Sequence, residues 1–184
     1  MKKHLQSIAL LNEDNQNEKI RAYINQLMQS SDLLEFSKIC DHKILNNILC
    51  RYKKVCNDLH IAFHADIRSN TTTFLSDSDV TSLFCNMLDN AVEASNHIKD
   101  SYIEITAAQR KHTPFVIITI INSCAGNPFS PNGELVSSKQ NPQAHGFGIK
   151  SIEKIIHNYN GNIQMYYDEE TSTFHTIIML KKKQ

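Results

Sequence analysis

Apolar residues recur at three- and four-residue intervals near the start of the chain. Leu5, Ile8 and Leu11 precede a polar run over 12–17, and Ile20, Tyr23, Ile24, Leu27 and Met28 form a second stripe. Residues 1–32 therefore predict a helical hairpin. Two helices this short cannot bury both stripes alone. The hairpin either packs on the rest of the chain or, as favoured here, dimerises with a second copy. Over 41–59 the helical pattern returns through Ile44, Leu45, Ile48, Leu49, Tyr52 and Val55, and alternation over 61–67 then predicts a strand. Ser76, Asp77 and Asp79 supply an N-cap and an acidic first turn for a helix reaching about His97, with Val80, Leu83, Phe84, Met87, Leu88 and Ala91 turned inward.

Two strands follow, over 102–107 and 115–121, joined by a turn at 111–114; the second is an unbroken apolar run suited to a sheet centre. Residues 122–144 are rich in Asn, Ser, Pro and Gly without periodicity, a loop of about twenty residues of the kind that serves as a lid. After Gly146-Phe147-Gly148 the positions Ile149, Ile152, Ile155, Ile156 and Tyr159 predict a helix that Asn160-Gly161 ends, and strands follow over 162–167 and 173–180. This order predicts an α/β (α+β) two-layer sandwich over 38–182, a mixed, mostly antiparallel sheet covered by about three helices.

Composition narrows the classes of function. With 41% apolar and 21% charged residues the chain is globular, and its 184 residues suit one main domain with an accessory segment. Nineteen basic and nineteen acidic residues leave no net field to gather nucleic acid. Lys181, Lys182 and Lys183 read as a solvated end. Cys40, Cys50, Cys56, Cys85 and Cys124 show no zinc spacing, and their odd number suits reduced thiols in a cytosolic setting. No apolar run approaches the roughly 20 residues that span a bilayer.

On the helix over 77–97, Asn86, Asn90, Glu93 and His97 share one face. Asparagine disfavours helix interiors, so two of them one turn apart point to binding, against the alternative of a solvated outer face. Gly146-Phe147-Gly148 lets a phosphate approach backbone amides, although a steric turn uses the same residues. His60 and His64 share a strand face without metal geometry, and Cys85 reads as a small core hydrophobe.

The segment Leu83-Phe84-Cys85-Asn86-Met87-Leu88-Asp89-Asn90-Ala91-Val92-Glu93-Ala94 resembles the N box of GHKL ATPases, and His145-Gly146-Phe147-Gly148-Ile149-Lys150-Ser151-Ile152 resembles their second glycine box. The resemblance covers residues 40–180 and implies a Bergerat-type ATP-binding fold with ATP and magnesium as cofactors. It implies that Asn90 holds the magnesium and that Asn86, the candidate catalytic residue, lies near the attacking or polarised groups. His145, Gly146, Phe147, Gly148 and Ile149 join them in the nucleotide site. Ile121-Asn122-Ser123-Cys124-Ala125-Gly126 stands at the first glycine box, with Asn122 replacing the aspartate that recognises adenine. Glu93 stands where many kinases carry a basic residue.

Hydrolytic relatives place a glutamate at the position of Asn86 to activate water, and an asparagine cannot act as that base. This favours the sensor histidine kinases, and the Asn-Ser form at 122–123 with the Glu-Ala ending of the N box resembles the peptide-pheromone quorum-sensing subfamily. The implied reaction is transfer of the ATP γ-phosphoryl group to a histidine. Its His-Asp acceptor motif is expected just before Met1, and His4 is not expected to be the acceptor. The implied setting is a cytoplasmic domain of a membrane-anchored parent, homodimeric through the N-terminal helices and paired with a response regulator. Two alternatives are a GHKL ATPase and a degenerate module that binds nucleotide or docks a partner.

Overall fold

The structure is a computed structural model that describes residues 18, 19, 38–133, 135 and 142–182, and for 142–147 the backbone alone. Residues 18 and 19 are helical, and the rest of the hairpin expected over 1–32 lies outside the described residues. The chain divides between Ser37 and Lys38. From Lys38 onward the elements run α1 (Lys43–Asp58), β1 (Ala62–Ile67), α2 (Asp77–Ser95), β2 (Tyr102–Gln109), β3 (Phe115–Ser123), α3 (Pro142–Asn158), β4 (Asn162–Asp168) and β5 (Thr173–Lys181).

The strands form one sheet in the order β1-β2-β3-β5-β4. Only β1 and β2 run parallel, and the other neighbours are antiparallel. The helices cover one face: α1 packs on β1, α2 on β2 and β3, and α3 on β4 and β5, with α2 between the other two. This is the mixed two-layer sandwich that the sequence predicts. Central β3 buries Val116, Ile118, Ile120 and Asn122 towards the helices, while Phe115, Ile117, Thr119 and Ile121 are half-buried on the other face. Its unbroken apolar run thus serves both faces.

Each helix buries most of the stripe its spacing predicts, while Ile44 and Val55 of α1 and Ile149 of α3 stay half-buried. In α1 the core takes Leu45, Ile48, Leu49, Tyr52 and Cys56, whereas Val55 is half-buried. In α2 it takes Val80, Leu83, Phe84, Met87, Leu88 and Ala91, none more than 5% exposed. Ser76 caps α2 by accepting a hydrogen bond from the amide of Asp79 at 3.2 Å, and Asp77 and Asp79 complement the helix dipole.

The helix ends carry the main local departures from the sequence reading. His60 does not belong to the strand with His64. It sits in the left-handed region (φ 58°) after α1, with its amide donating to Asn57 O and that of Ile61 to Cys56 O. These two bonds are the Schellman pattern. Asn160 (φ 46°) closes α3 the same way, its amide bonding His157 O and that of Gly161 bonding Ile156 O. His97 (φ 64°) lies past the end of α2, so the polar stripe of that helix stops at Glu93. Most consequential is the start of α3 at Pro142 rather than after Gly148. Proline suits the first helical position because its fixed φ is already helical and its missing N–H has no intrahelical partner. The loop expected over 122–144 therefore shrinks at both ends, and residues 134 and 136–141 of it lie outside the described residues. Its first part folds back: Ser130 O accepts from Gly133 N at 2.8 Å, and the Phe129 ring lies 5.8 Å from that of Phe174.

Two stability predictions follow from this packing. A β-carbon at Gly161 would collide with Met179 O and stand 2.8 Å from Leu180 Cδ2. Gly161→Ala is therefore expected to lower unfolding free energy by about 1–3 kcal/mol, read from urea denaturation, and an unchanged midpoint would refute the packing. Burial pushes the Cys56 thiol up to about 11 from an ordinary value of 9.0. The unfolded chain releases this proton first. The corresponding stability is thus present below about pH 9 and is lost as pH rises through about 11. Urea midpoints measured over that interval should fall less steeply for Cys56→Ala than for the parent protein.

Candidate functional site

The apolar face of α2 is locked against the sheet, so helical geometry turns its polar residues away from it. Asn86 is half-buried, Asn90 exposed and Glu93 half-buried along that outer line. The amide nitrogen of Asn86 donates to Ser82 O at 2.8 Å, which fixes the side chain along its own helix. Its Oδ1 faces α3: a β-carbon built at Gly148 would stand 3.6 Å from that oxygen. The bare α-carbon of Gly148 thus leaves a gap between the two helices at the residue that the N-box resemblance singles out.

Near Gly148 on α3, Ile149 is half-buried. His145, Gly146 and Phe147 lie within the helical backbone that begins at Pro142, and their side chains are outside the described residues. The structure therefore brings together Asn86 and Gly148. Asn122 stands elsewhere on β3, 3% exposed on the helix-facing side, with its amide nitrogen donating to Ser123 O at 2.9 Å. That carbonyl also accepts from Ser95 Oγ at 3.1 Å, so Asn122 sits beneath the C-terminal end of α2.

Tyrosines on the two flanking elements hold α2 by its aspartates. Tyr52 of α1 donates to Asp89 Oδ1 at 2.6 Å and lies 3.2 Å from Cys85 O. Tyr159, just after α3, donates to Asp79 Oδ2 at 2.7 Å and accepts from Ser76 N at 3.1 Å. Burial first, and then the carboxylate partner, raises the Tyr52 hydroxyl above the ordinary tyrosine range. Burial is likewise the main cause for Tyr159. Neither tyrosine was marked by the sequence as more than part of an apolar stripe, and their partners lie 37 and 80 residues away along the chain. Cys85 is half-buried at the margin of the core rather than inside it, with Arg51 Nη2 3.7 Å from its sulfur.

Among the described residues, no group of three or more His, Cys, Asp and Glu could hold a metal. The oxygen facing Gly148 is the Asn86 amide, and magnesium bound by few protein ligands completes its shell with water and phosphate. Asn90, exposed and one turn beyond Asn86, fits that demand. A separate open hollow of about 460 Å³, lined by His42, Lys43, Ile44, Asn47, Thr73 and Asp77, involves none of these residues. The cysteines form no disulfide, and among the described residues no helix is long and apolar enough to cross a membrane.

A family model described as the GHKL domain matches residues 75–180. No curated protein matches the chain. Among solved structures, the catalytic domain of the histidine kinase ThkA superposes with a TM-score of 0.59 at 18% identity, covering 81% of this chain and 97% of that one. The mycobacterial sensor histidine kinase MprB gives 0.58 at 16%, covering 77% and 95%. The Acinetobacter baumannii histidine kinase AdeS gives 0.54 at 15%, covering 100% and 93%. At such identities the likeness is one of fold, the same sandwich of mixed sheet and helices. The family match spans the N-box helix, β2 to β5 and α3, and by it this chain belongs to the GHKL domain family.

Proposed function

We propose that residues 38–182 are the ATP-binding catalytic domain of a two-component sensor histidine kinase of the peptide-pheromone quorum-sensing kind. The observation that carries this reading is the Asn86 amide oxygen facing the bare α-carbon of Gly148 across the gap between α2 and α3. In this reading ATP lies between the Asn86/Asn90 helix and α3, with Asn122, His145, Gly146, Phe147, Gly148 and Ile149 completing the nucleotide site. Asn90 would hold magnesium, whose charge offsets that of the phosphates when it is bound. The protein's own contribution is positioning: α2 and α3 fix the nucleotide while a separate histidine-bearing segment supplies the nucleophile.

Asn86 offers an amide where hydrolysis needs a carboxylate base, which supports transfer to an imidazole nitrogen over transfer to water. In that transfer the bond between the γ-phosphorus and the ADP oxygen breaks as the nitrogen–phosphorus bond forms. In this reading the acceptor lies outside residues 38–182, and the segment over 1–32 brings two copies together. The phosphoryl group then passes to a response regulator.

Calorimetric titration with a non-hydrolysable ATP analogue, with and without magnesium, tests this. Magnesium-dependent binding is expected, weakened at least about tenfold in Asn90→Ala. Folded protein that binds no nucleotide would leave the degenerate docking module as the better reading. Steady phosphate release without any acceptor would favour the ATPase. Gly148→Ala separates stability from function: the helix gains up to about 1 kcal/mol from alanine's propensity, while the methyl fills the gap beside Asn86. Its melting temperature should hold or rise while nucleotide affinity falls, and unaltered affinity would remove Gly148 from the site.

A further inference from the structure

Cys85 and Asp89 are one turn apart on α2, and Asn86 and Asn90 form the next such pair, each one residue later. Consecutive helical residues differ by about 100° around the axis. Whatever fixes the rotation of the first pair therefore fixes that of the second. Tyr52 grips the first pair: its hydroxyl lies 2.6 Å from Asp89 Oδ1 and 3.2 Å from Cys85 O. Its ring is 3% exposed within the core, and the Arg51 guanidinium stands 4.7 Å from the ring centroid.

The hydroxyl has one proton, and the shorter distance assigns it mainly to the carboxylate, a charge-assisted bond. The raised tyrosine keeps that proton at any physiological pH. On the opposite flank, Asn86 meets Gly148 of α3. The same turn of α2 thus meets Tyr52 on one side and faces Gly148 of α3 on the other, where the nucleotide contacts are proposed.

From this geometry we infer that Tyr52 is a positioning residue of the nucleotide site, setting through Asp89 and the Cys85 carbonyl the rotation at which α2 presents Asn86 and Asn90. Tyr52 touches no substrate in this scheme and acts only through α2. The inference rests on the reading of Asn86 and Asn90 as nucleotide and magnesium contacts.

The test compares the parent chain with Tyr52→Phe, Asp89→Ala and Asp89→Asn. It uses titration with a non-hydrolysable ATP analogue and magnesium, thermal unfolding, and the side-chain amide NMR signals of Asn86 and Asn90 without nucleotide. Tyr52→Phe and Asp89→Ala should each weaken binding by about five- to tenfold, because only part of the lost charge-assisted hydrogen bond is felt at the neighbouring pair. Both should shift the two amide signals. Asp89→Asn keeps an acceptor oxygen and should stay within about twofold of the parent.

A lowered melting temperature with unchanged affinity and unchanged amide signals would make the contact merely structural and overturn the inference. Parent protein that binds with magnesium dependence, beside variants that bind equally well, would sink the inference and leave the proposed function standing. If the parent binds no nucleotide, the functional reading fails, and unshifted amide signals would then dispose of the positioning role as well. Should Tyr52→Phe not fold, Asp89→Ala, altered at an exposed residue, carries the same comparison.

Discussion

The burial of one face of α2 against the centre of the sheet is the constraint from which the rest of the domain follows. Val80, Leu83, Phe84, Met87, Leu88 and Ala91 are at most 5% exposed. Each of the larger side chains contributes about 1.5–3 kcal/mol on removal from water. Rotating the helix by a single residue would bring Asn86 or Asn90 towards β3 and expose part of this face. The chemistry of the outer line is therefore set by the apolar residues of the inner one. It also explains how a helix can tolerate two asparagines: what they cost in propensity is small beside what the opposite face gains.

Apolar packing fixes α2 to within the tolerance of side-chain rotamers, and polar contacts on its flanks refine that placement. Tyr52 and Tyr159 come from opposite sides, each with its ring in the core and its hydroxyl on an aspartate of α2, at 2.6 and 2.7 Å. A buried hydroxyl without a partner would cost about 1–3 kcal/mol, so each aspartate also keeps its tyrosine inside. The contacts fall at different heights. Tyr159 meets the first turn, where Ser76 and Asp79 already form the cap, and Tyr52 meets the turn beside Asn86. One stabilises the start of the helix, and the other orients its middle.

The sequence reveals those features that repeat along it. Stripes at helical spacing located α1, α2 and most of α3, and the apolar runs located the strands, because burial on one face imposes a period. Cap residues have no period. His60 and His97 take left-handed conformations that glycine or asparagine more often fills, and nothing in their neighbours announces this. The start of α3 was hidden for a related reason: its first turns hold Pro142, Gly146 and Gly148, which read as loop, yet a first-turn proline is compatible with a helix. At the candidate site the asparagines and glycines were legible as motifs. The facing of Asn86 and Gly148 needed the fold, as did the tyrosine clamps, which join residues distant along the chain.

The two ends of α3 differ in a way that bears on binding. Its C-terminal end is tied down by the Schellman bonds at Asn160 and Gly161, by Tyr159 on Asp79, and by the amide of Lys181 on Tyr159 O at 3.1 Å. Its other end carries two glycines, each costing about 1 kcal/mol in helix propensity relative to alanine. Helix stability therefore falls towards the part of α3 that runs beside Asn86. In the proposed function α3 grips and releases the nucleotide, and such an element is drawn from the low-stability end of a fold while the helix facing it holds still. Here α2 is clamped on both sides, and among the described residues the clamps on α3 lie at the end remote from Gly148. The same division places the burden of orientation on α2, so a side chain that sets its rotation influences binding without lining the site.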